Sequence, residues 1–199
     1  HETVVALVGS NVKVDFIAGT SAAPGVNPNQ HGLTGSWYEP ITSGQGFEVE
    51  VFPDQSGPGS GSIFVSWFTF DTVAGGAERQ RWYTLAGTVA TGKPSAALTI
   101  YQNVGGNFNA LPVTNAQAVG TATLRFATCT SGQLTYSVTD GSGRSGSIDL
   151  PRLTQNVTCS TNGARPTNAD FALSGNWYDP STSGQGLTVD VNPGSGTVF

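Results

Sequence analysis

Trp37-Tyr38-Glu39-Pro40-Ile41-Thr42-Ser43-Gly44-Gln45-Gly46 recurs near the end of the chain as Trp177-Tyr178-Asp179-Pro180-Ser181-Thr182-Ser183-Gly184-Gln185-Gly186. The correspondence runs outward on both sides. Leu33-Thr34-Gly35 answers Leu173-Ser174-Gly175, Val49-Glu50-Val51 answers Val189-Asp190-Val191, and Pro53 answers Pro193. After a shorter turn, Gly59 to Phe64 answers Gly194 to Phe199. Trp37 and Trp177 are 140 residues apart. Solenoid repeats have periods of roughly 20–50 residues, so the recurring unit here is the size of a domain. Within these 199 residues the second copy stops after its first few strands. The expected organisation is an N-terminal hairpin and linker over 1–32, a complete β-domain over 33–159, a polar linker over 160–172, and the opening hairpin of a second, incomplete copy over 173–199.

Period-two alternation dominates the rest of the chain. Val12, Val14 and Phe16 alternate with polar neighbours, which predicts strands over 4–8 and 11–17 joined by a tight turn. Residues 18–32 read as a linker or a loop lying on the surface. Phe47, Val49 and Val51 point one way and Glu48 and Glu50 the other. Ile63 to Phe70 is the most apolar strand, with Val65 and Trp67 on one face and Phe64, Phe68 and Phe70 on the other; this predicts cover on both faces. Further strands are expected over 79–89, 96–102, 119–128, 133–139 and 145–153, with Asp140-Gly141 as a hairpin signal. No window carries a capped 3.6-residue apolar period, so no helix is expected. About eight short strands with turn signals between them predict an all-β fold: an antiparallel meander closed as a barrel or sandwich, with extra hairpins at both ends.

Composition excludes several function classes. Net charge is −5 and basic clusters are absent, which argues against nucleic acid and anionic membrane partners. No apolar run reaches the roughly 18 residues of a membrane helix. The chain begins at His1 and has no Met, as expected of a processed or trimmed N-terminus. If Cys129 and Cys159 pair, an exported protein is expected, and closing that loop contributes roughly 3–4 kcal/mol. The alternative is two buried thiols.

The pattern Gly-x-Trp-Tyr-x-Pro-x-x-Ser-Gly-x-Gly, followed by the strand Trp67-Phe68-Thr69-Phe70-Asp71 and the later Trp82-Tyr83, resembles a β-repeat of secreted and surface-attached bacterial proteins, where it often occurs in tandem. The likeness covers Leu33 to about Leu153 and Leu173 to the end. It brings no catalytic residues; Phe47 and Leu187 depart from it slightly. The Gly-x-Trp-Tyr opening and the later strand tryptophans also resemble avidin-type barrels, without a recognisable biotin-binding set.

Candidate chemistry is sparse. Trp37, Tyr38, Trp67, Trp82 and Tyr83 could form a stacking site for sugars or another ligand; equally, they could be the core of a domain poor in large aliphatics, and the Trp37/Trp177 identity favours that. Ser43-Gly44-Gln45-Gly46 could nest an anion, but its glycines suit a close turn. Glu48 and Glu50 share a strand face, yet their counterparts are Thr188 and Asp190, so only one carboxylate recurs. Asp140 to Gly143 lacks the spaced acids of a calcium loop. His1 and His31 fall in segments without strand pattern, and no hydrolase, phosphate-loop or metal motif is present. No cofactor and no metal is expected, and no enzymatic activity.

A lone opening hairpin bearing Leu187, Val189, Val191, Val198 and Phe199 is marginal by itself. The N-terminal pair with Val12, Val14 and Phe16 is likewise unpartnered in the sequence. The reading that follows is an extracellular or cell-surface structural subunit that self-associates head to tail by inter-chain strand completion, making a filament or surface array. The alternative is a carbohydrate- or small-ligand-binding adhesion module from a longer tandem-repeat protein.

Overall fold

Alternation becomes eight strands that pair strictly in chain order. The computed structural model describes residues 25–154, 159–160, 172–182 and 184–199. His1, the strands expected at 4–8 and 11–17 (with Val12, Val14 and Phe16) and most of the 160–172 segment lie outside the described residues. The strands are β1 (Gly35–Trp37), β2 (Gly46–Phe52), β3 (Ser60–Phe70), β4 (Gln80–Ala90), β5 (Ser95–Gln102), β6 (Gln117–Phe126), β7 (Ser131–Val138) and β8 (Ser145–Pro151). Together they form one antiparallel meander, β1-β2-β3-β4-β5-β6-β7-β8. The longest ladder joins β3 to β4, from Ser60 opposite Ala90 to Phe70 opposite Gln80. The only helical pieces among the described residues are three-residue 3-10 turns such as Pro40–Thr42.

The meander nearly closes into a barrel. Trp37 bridges Arg152, Tyr38 N donates to Pro151 O at 3.1 Å, and Leu153 N donates to Ser36 O at 2.9 Å. An eight-stranded barrel has an interior just wide enough for side chains to fill. Here Trp37, Phe47, Val49, Ile63, Val65, Trp67, Tyr83, Leu85, Ile100, Leu124, Phe126, Leu134 and Leu150 fill it. Trp67 is the hub of the aromatic packing, with ring centroids 5.3 Å from Phe47, 5.6 Å from Tyr83 and 5.1 Å from Tyr136.

Residues 25–34 are more than a surface loop. Val26 joins the core, and Asn29 and Gln30 are buried. Gln30 Nε2 donates to Ser160 O at 2.8 Å, and Ser160 N donates back to Gln30 Oε1 at 3.0 Å. His31 belongs to a 3-10 turn at the head of β1. Cys129 and Cys159 form a disulfide, with Cα atoms 5.6 Å apart.

The outer face has two halves. Across β5 to β8 it is threonine and serine open to solvent (Thr121, Thr123, Thr135, Ser147). Across β2 to β4 it carries Glu48, Glu50, Phe64, Ser66, Phe68, Trp82 and Thr84, and part of this half is covered by the second copy. The expected cover over the phenylalanine face of β3 is incomplete: Phe68 and Phe70 are exposed, and a cleft separates Phe68 from the second copy.

Candidate functional site

The second copy folds locally as the first does. β9 (Gly175–Trp177) pairs with β10 (Leu187–Val189), setting Gly175 opposite Val189 and Trp177 opposite Leu187. β1 and β2 set Gly35 opposite Val49 and Trp37 opposite Phe47, which is the same register. β11 (Val191–Asn192) pairs with β12 (Thr197–Val198), Val191 facing Val198, as Val51 faces Ile63 in the first copy. Trp37 Nε1 donates to Leu33 O and Trp177 Nε1 to Leu173 O, both at 3.2 Å. The turns match too. Glu39 and Asp179 each accept from the backbone N–H two residues on, and Gly44 and Gly184 both have positive φ, at 91° and 96°. The Ser-Gly-x-Gly stretch is therefore a close turn that needs glycine backbone freedom.

The two copies meet through their outer faces, and the meeting is reciprocal. Glu50 Oε2 accepts from Asn176 N at 2.9 Å and from Asn176 Nδ2 at 2.8 Å. Asp190 Oδ2, at the position matching Glu50, accepts from Ser36 N at 3.0 Å, and Ser36 matches Asn176. Each copy thus offers a carboxylate to the backbone of the other copy's first strand, a quasi-two-fold contact of the isologous kind. Glycine makes the approach possible. Gly35 and Gly175 have φ of 133° and 143°. A Cβ at Gly35 would lie 2.9 Å from Asp190 Oδ2, and one at Gly175 would collide with Glu50 Oε1.

Around this clasp the electrostatics are unusual for a barrel exterior. Asp190 also accepts from Thr154 Oγ1 at 2.6 Å. Arg152 donates to Gly32 O and Thr34 O, both at 2.6 Å, and its guanidinium lies 5.2 Å from the centre of the Trp37 ring. Burial pulls the Arg152 guanidinium below its ordinary value, against the pull of Asp190 and Glu48. Glu48 is buried; Ser36 Oγ donates to its Oε2 at 2.7 Å, while Oε1 has no hydrogen-bond partner. Burial pushes the Glu48 carboxyl up to about 8, with Asp190 and Glu50 adding to the rise and Ser36 and Arg152 opposing it. Glu48 and Glu50 are therefore held between the copies, one protonated at neutral pH and the other hydrogen-bonded to Asn176. That arrangement does not set two carboxyls across an open cleft.

What the second copy lacks is burial. Trp37 is 1% exposed and Trp177 53%; Phe47 is 4% exposed and its counterpart Leu187 73%. Leu173 and Val198 are exposed where Leu33 and Ile63 are buried, and Phe199 is exposed as well. The assembly residues expected in this copy thus divide: Leu187, Val198 and Phe199 are exposed, Val189 is half-buried and Val191 is buried opposite Val198.

The expected stacking set divides as well. Trp37, Trp67 and Tyr83 are interior, which removes them from any surface site; Tyr38 is half-buried at the barrel's closing seam. Only Trp82 faces out. It stacks on Phe68, with centroids 5.9 Å apart and planes 15° from parallel. The pair forms one wall of a cleft of about 500 Å³ between β3–β4 and the β9–β10 hairpin. The opposite wall is Asn176, Tyr178, Thr188 and the Gly184–Gly186 turn. Gln185 holds that turn against the loop before β6: Asn109 N donates to Gln185 Oε1 at 2.7 Å, and Gln185 Nε2 donates to Asn107 O at 2.6 Å. Sequence reading missed Phe68 and Tyr178. Strand parity was the available signal, since adjacent Trp82 and Tyr83 cannot both face in.

Asp140 closes the β7–β8 hairpin. It accepts from Ser142 N at 2.9 Å and from Arg144, and these bonds, those from Ser142 foremost, hold its carboxyl down at about 2. Among the described residues no group of three or more His, Cys, Asp and Glu is placed to hold a metal ion, and no helix is long and apolar enough to cross a membrane. No family model, no curated protein and no solved structure matches this chain.

Proposed function

We propose that this chain is a non-enzymatic, extracellular structural subunit that assembles head to tail, the open face of its second copy being completed by strands of another molecule. One observation carries the reading. Leu33, Trp37, Phe47 and Ile63 are buried in the first copy, and their counterparts Leu173, Trp177, Leu187 and Val198 are exposed in the second, on a hairpin with the same register and the same indole hydrogen bond. A face with that shape and chemistry fits further strands of the same fold. β1 meets the end of β8 through the Trp37–Arg152 bridge, so the barrel nearly closes without the strands expected at 4–8 and 11–17. Those strands, carrying Val12, Val14 and Phe16, suit the open face of a neighbour by β-strand addition. Such a contact joins unlike surfaces, so it propagates as a filament unless the rotation closes into a ring. The disulfide suits an oxidising compartment, and the resemblance to tandem surface repeats points the same way. The aromatic cleft favours a second activity on the same chain, ligand capture, which needs none of the assembly contacts.

Light scattering and electron microscopy of the same purified sample test the assembly. Ordered polymers are expected, and they should disappear on deleting 171–199 or, separately, 1–24. A monodisperse species near the 20.5 kDa of one chain at all concentrations overturns the proposal.

A further inference from the structure

We propose that the cleft beside Trp82 binds an uncharged oligosaccharide, with a sugar ring stacked on the Phe68–Trp82 pair. Neither aromatic is needed for the barrel core. Both are on the outer face, about two-fifths exposed, with ring planes 15° from parallel and centroids 5.9 Å apart. The pair is an exposed apolar aromatic platform, the complement of the C–H face of a pyranose. Polar groups converge on the platform's rim, as a specific small-molecule site requires. Ser66 Oγ donates to Asn176 Oδ1 at 3.2 Å, and Asn176 Nδ2 is taken by Glu50, so that amide is fixed in orientation. The side chains of Thr84, Asn103, Tyr178 and Thr188 also line the cleft and make no hydrogen bond among the described residues, leaving carboxamide and hydroxyl groups for sugar hydroxyls.

Charge selects the ligand class. Among the described residues no Asp, Glu, Lys or Arg lines the cleft. Arg81, in the adjoining depression, is paired with Asp71. Neither an acidic sugar nor a phosphate would find a counter-charge, whereas a neutral saccharide needs none. Length follows from the surroundings. Two further depressions, of about 390 and 270 Å³, adjoin the cleft and share Trp82. The platform is thus flanked on both sides, which fits a chain of sugars crossing Trp82 better than a single enclosed ring.

The site is independent of the assembly face. Trp177 and Leu187 touch the cleft but match residues that point into the barrel in the first copy. The platform and the rim groups named above lie on outer faces, so completing the second copy leaves them in place.

The test is calorimetric and fluorescence titration of the full chain. The probes are neutral hexasaccharides (β-1,4-linked glucose, β-1,4-linked N-acetylglucosamine and α-1,4-linked glucose), with polygalacturonate as the anionic comparison. At least one neutral probe should bind. Trp82→Ala should weaken it about tenfold or more, the equivalent of one lost aromatic stack. Asn103→Ala should weaken it less, and circular dichroism should show both variants folded. The proposal is overturned if no neutral probe binds at millimolar concentration, if polygalacturonate binds more tightly than all of them, or if neither substitution changes the affinity. Polymer formation, measured on the same variants, should be unchanged whichever result appears.

Discussion

Trp37 and Trp177 sit in the same local structure and in opposite environments. Each ends a strand of three residues, faces the same position of its partner strand and donates to the carbonyl four residues back. One is enclosed by six further strands and the other faces solvent. The hairpin is thus specified by its own twenty or so residues: glycines for positive φ, a carboxylate capping the turn, and alternation to set the faces. In the first copy burial is supplied by β3 to β8, which close over the hairpin. Sequence identity between copies is therefore a guide to geometry and a poor guide to exposure.

The sharpest way to break this comparison is to truncate both indoles. Trp37→Ala should cost about 3–5 kcal/mol, the usual range for a large aromatic removed from a packed core, whereas Trp177→Ala should cost under about 1 kcal/mol in a monomeric sample. Urea denaturation of the two variants at low protein concentration measures both. Equal costs would mean that the second copy has an enclosed core after all. Next in size is the clasp. Asp190→Ala leaves Ser36 N and Thr154 Oγ1 without their acceptor and removes a compensating charge from buried Arg152; it should cost about 3 kcal/mol. Glu50→Ala removes the reciprocal, less buried bond and should cost about 1–2 kcal/mol. Both should increase hydrogen exchange in 172–199 more than in β3 to β7. Exchange that rises equally throughout would show the two copies to be one cooperative unit.

The smallest expected effect concerns Glu48, the one outer-face carboxyl that the second copy replaces with Thr188. Its folded value near 8 lies above its ordinary 4.5. Its contribution to stability is therefore fully present below about pH 4.5 and is lost as pH rises through 8. Thermal stability should decline between about pH 5 and 8, and Glu48→Gln should flatten that decline. A wild-type profile that rises over this window would show Glu48 to be ionised and stabilised in the fold. Asp140 and Asp71 do not confuse the reading. Hydrogen bonds from Ser142 and Thr72, with help from neighbouring arginines, lower both carboxyls, so their titrations fall at more acid pH.

Much of the fold was legible. Period-two alternation located all eight strands of the first copy to within a few residues, and the short turns between them implied the meander. Three things were not legible, each for a physical reason. Arg152 reads as a polar residue at the end of a strand; its role in closing the barrel depends on carbonyls 118 and 120 residues away in sequence. The clasp is also non-local, although the recurrence of an acid at 50 and 190 and of glycine at 35 and 175 was its available trace. The cleft depends on which faces of the two copies meet, and that is set by the clasp. Of the five aromatics expected at a site, Trp82 alone was free to reach one, because the barrel needs Trp37, Trp67 and Tyr83 inside and its seam takes Tyr38.

The bonded contact between Gln30 and Ser160 has a mechanical consequence. The chain comes into the barrel at 25–34 and leaves it beyond Arg152. Those two segments are tied side by side by the Gln30–Ser160 pair and by Arg152 on Gly32 and Thr34, while the disulfide anchors Cys159 to the turn between β6 and β7. Tension applied along the backbone passes from one segment to the other across this corner, without crossing the β3–β4 ladder or the packed interior. The barrel hangs from the line of force as a bead hangs from a thread. Once the corner parts, the Cys129–Cys159 cross-link still carries the load past residues 130–158, so β7 and β8 are shielded from it and β1 is not.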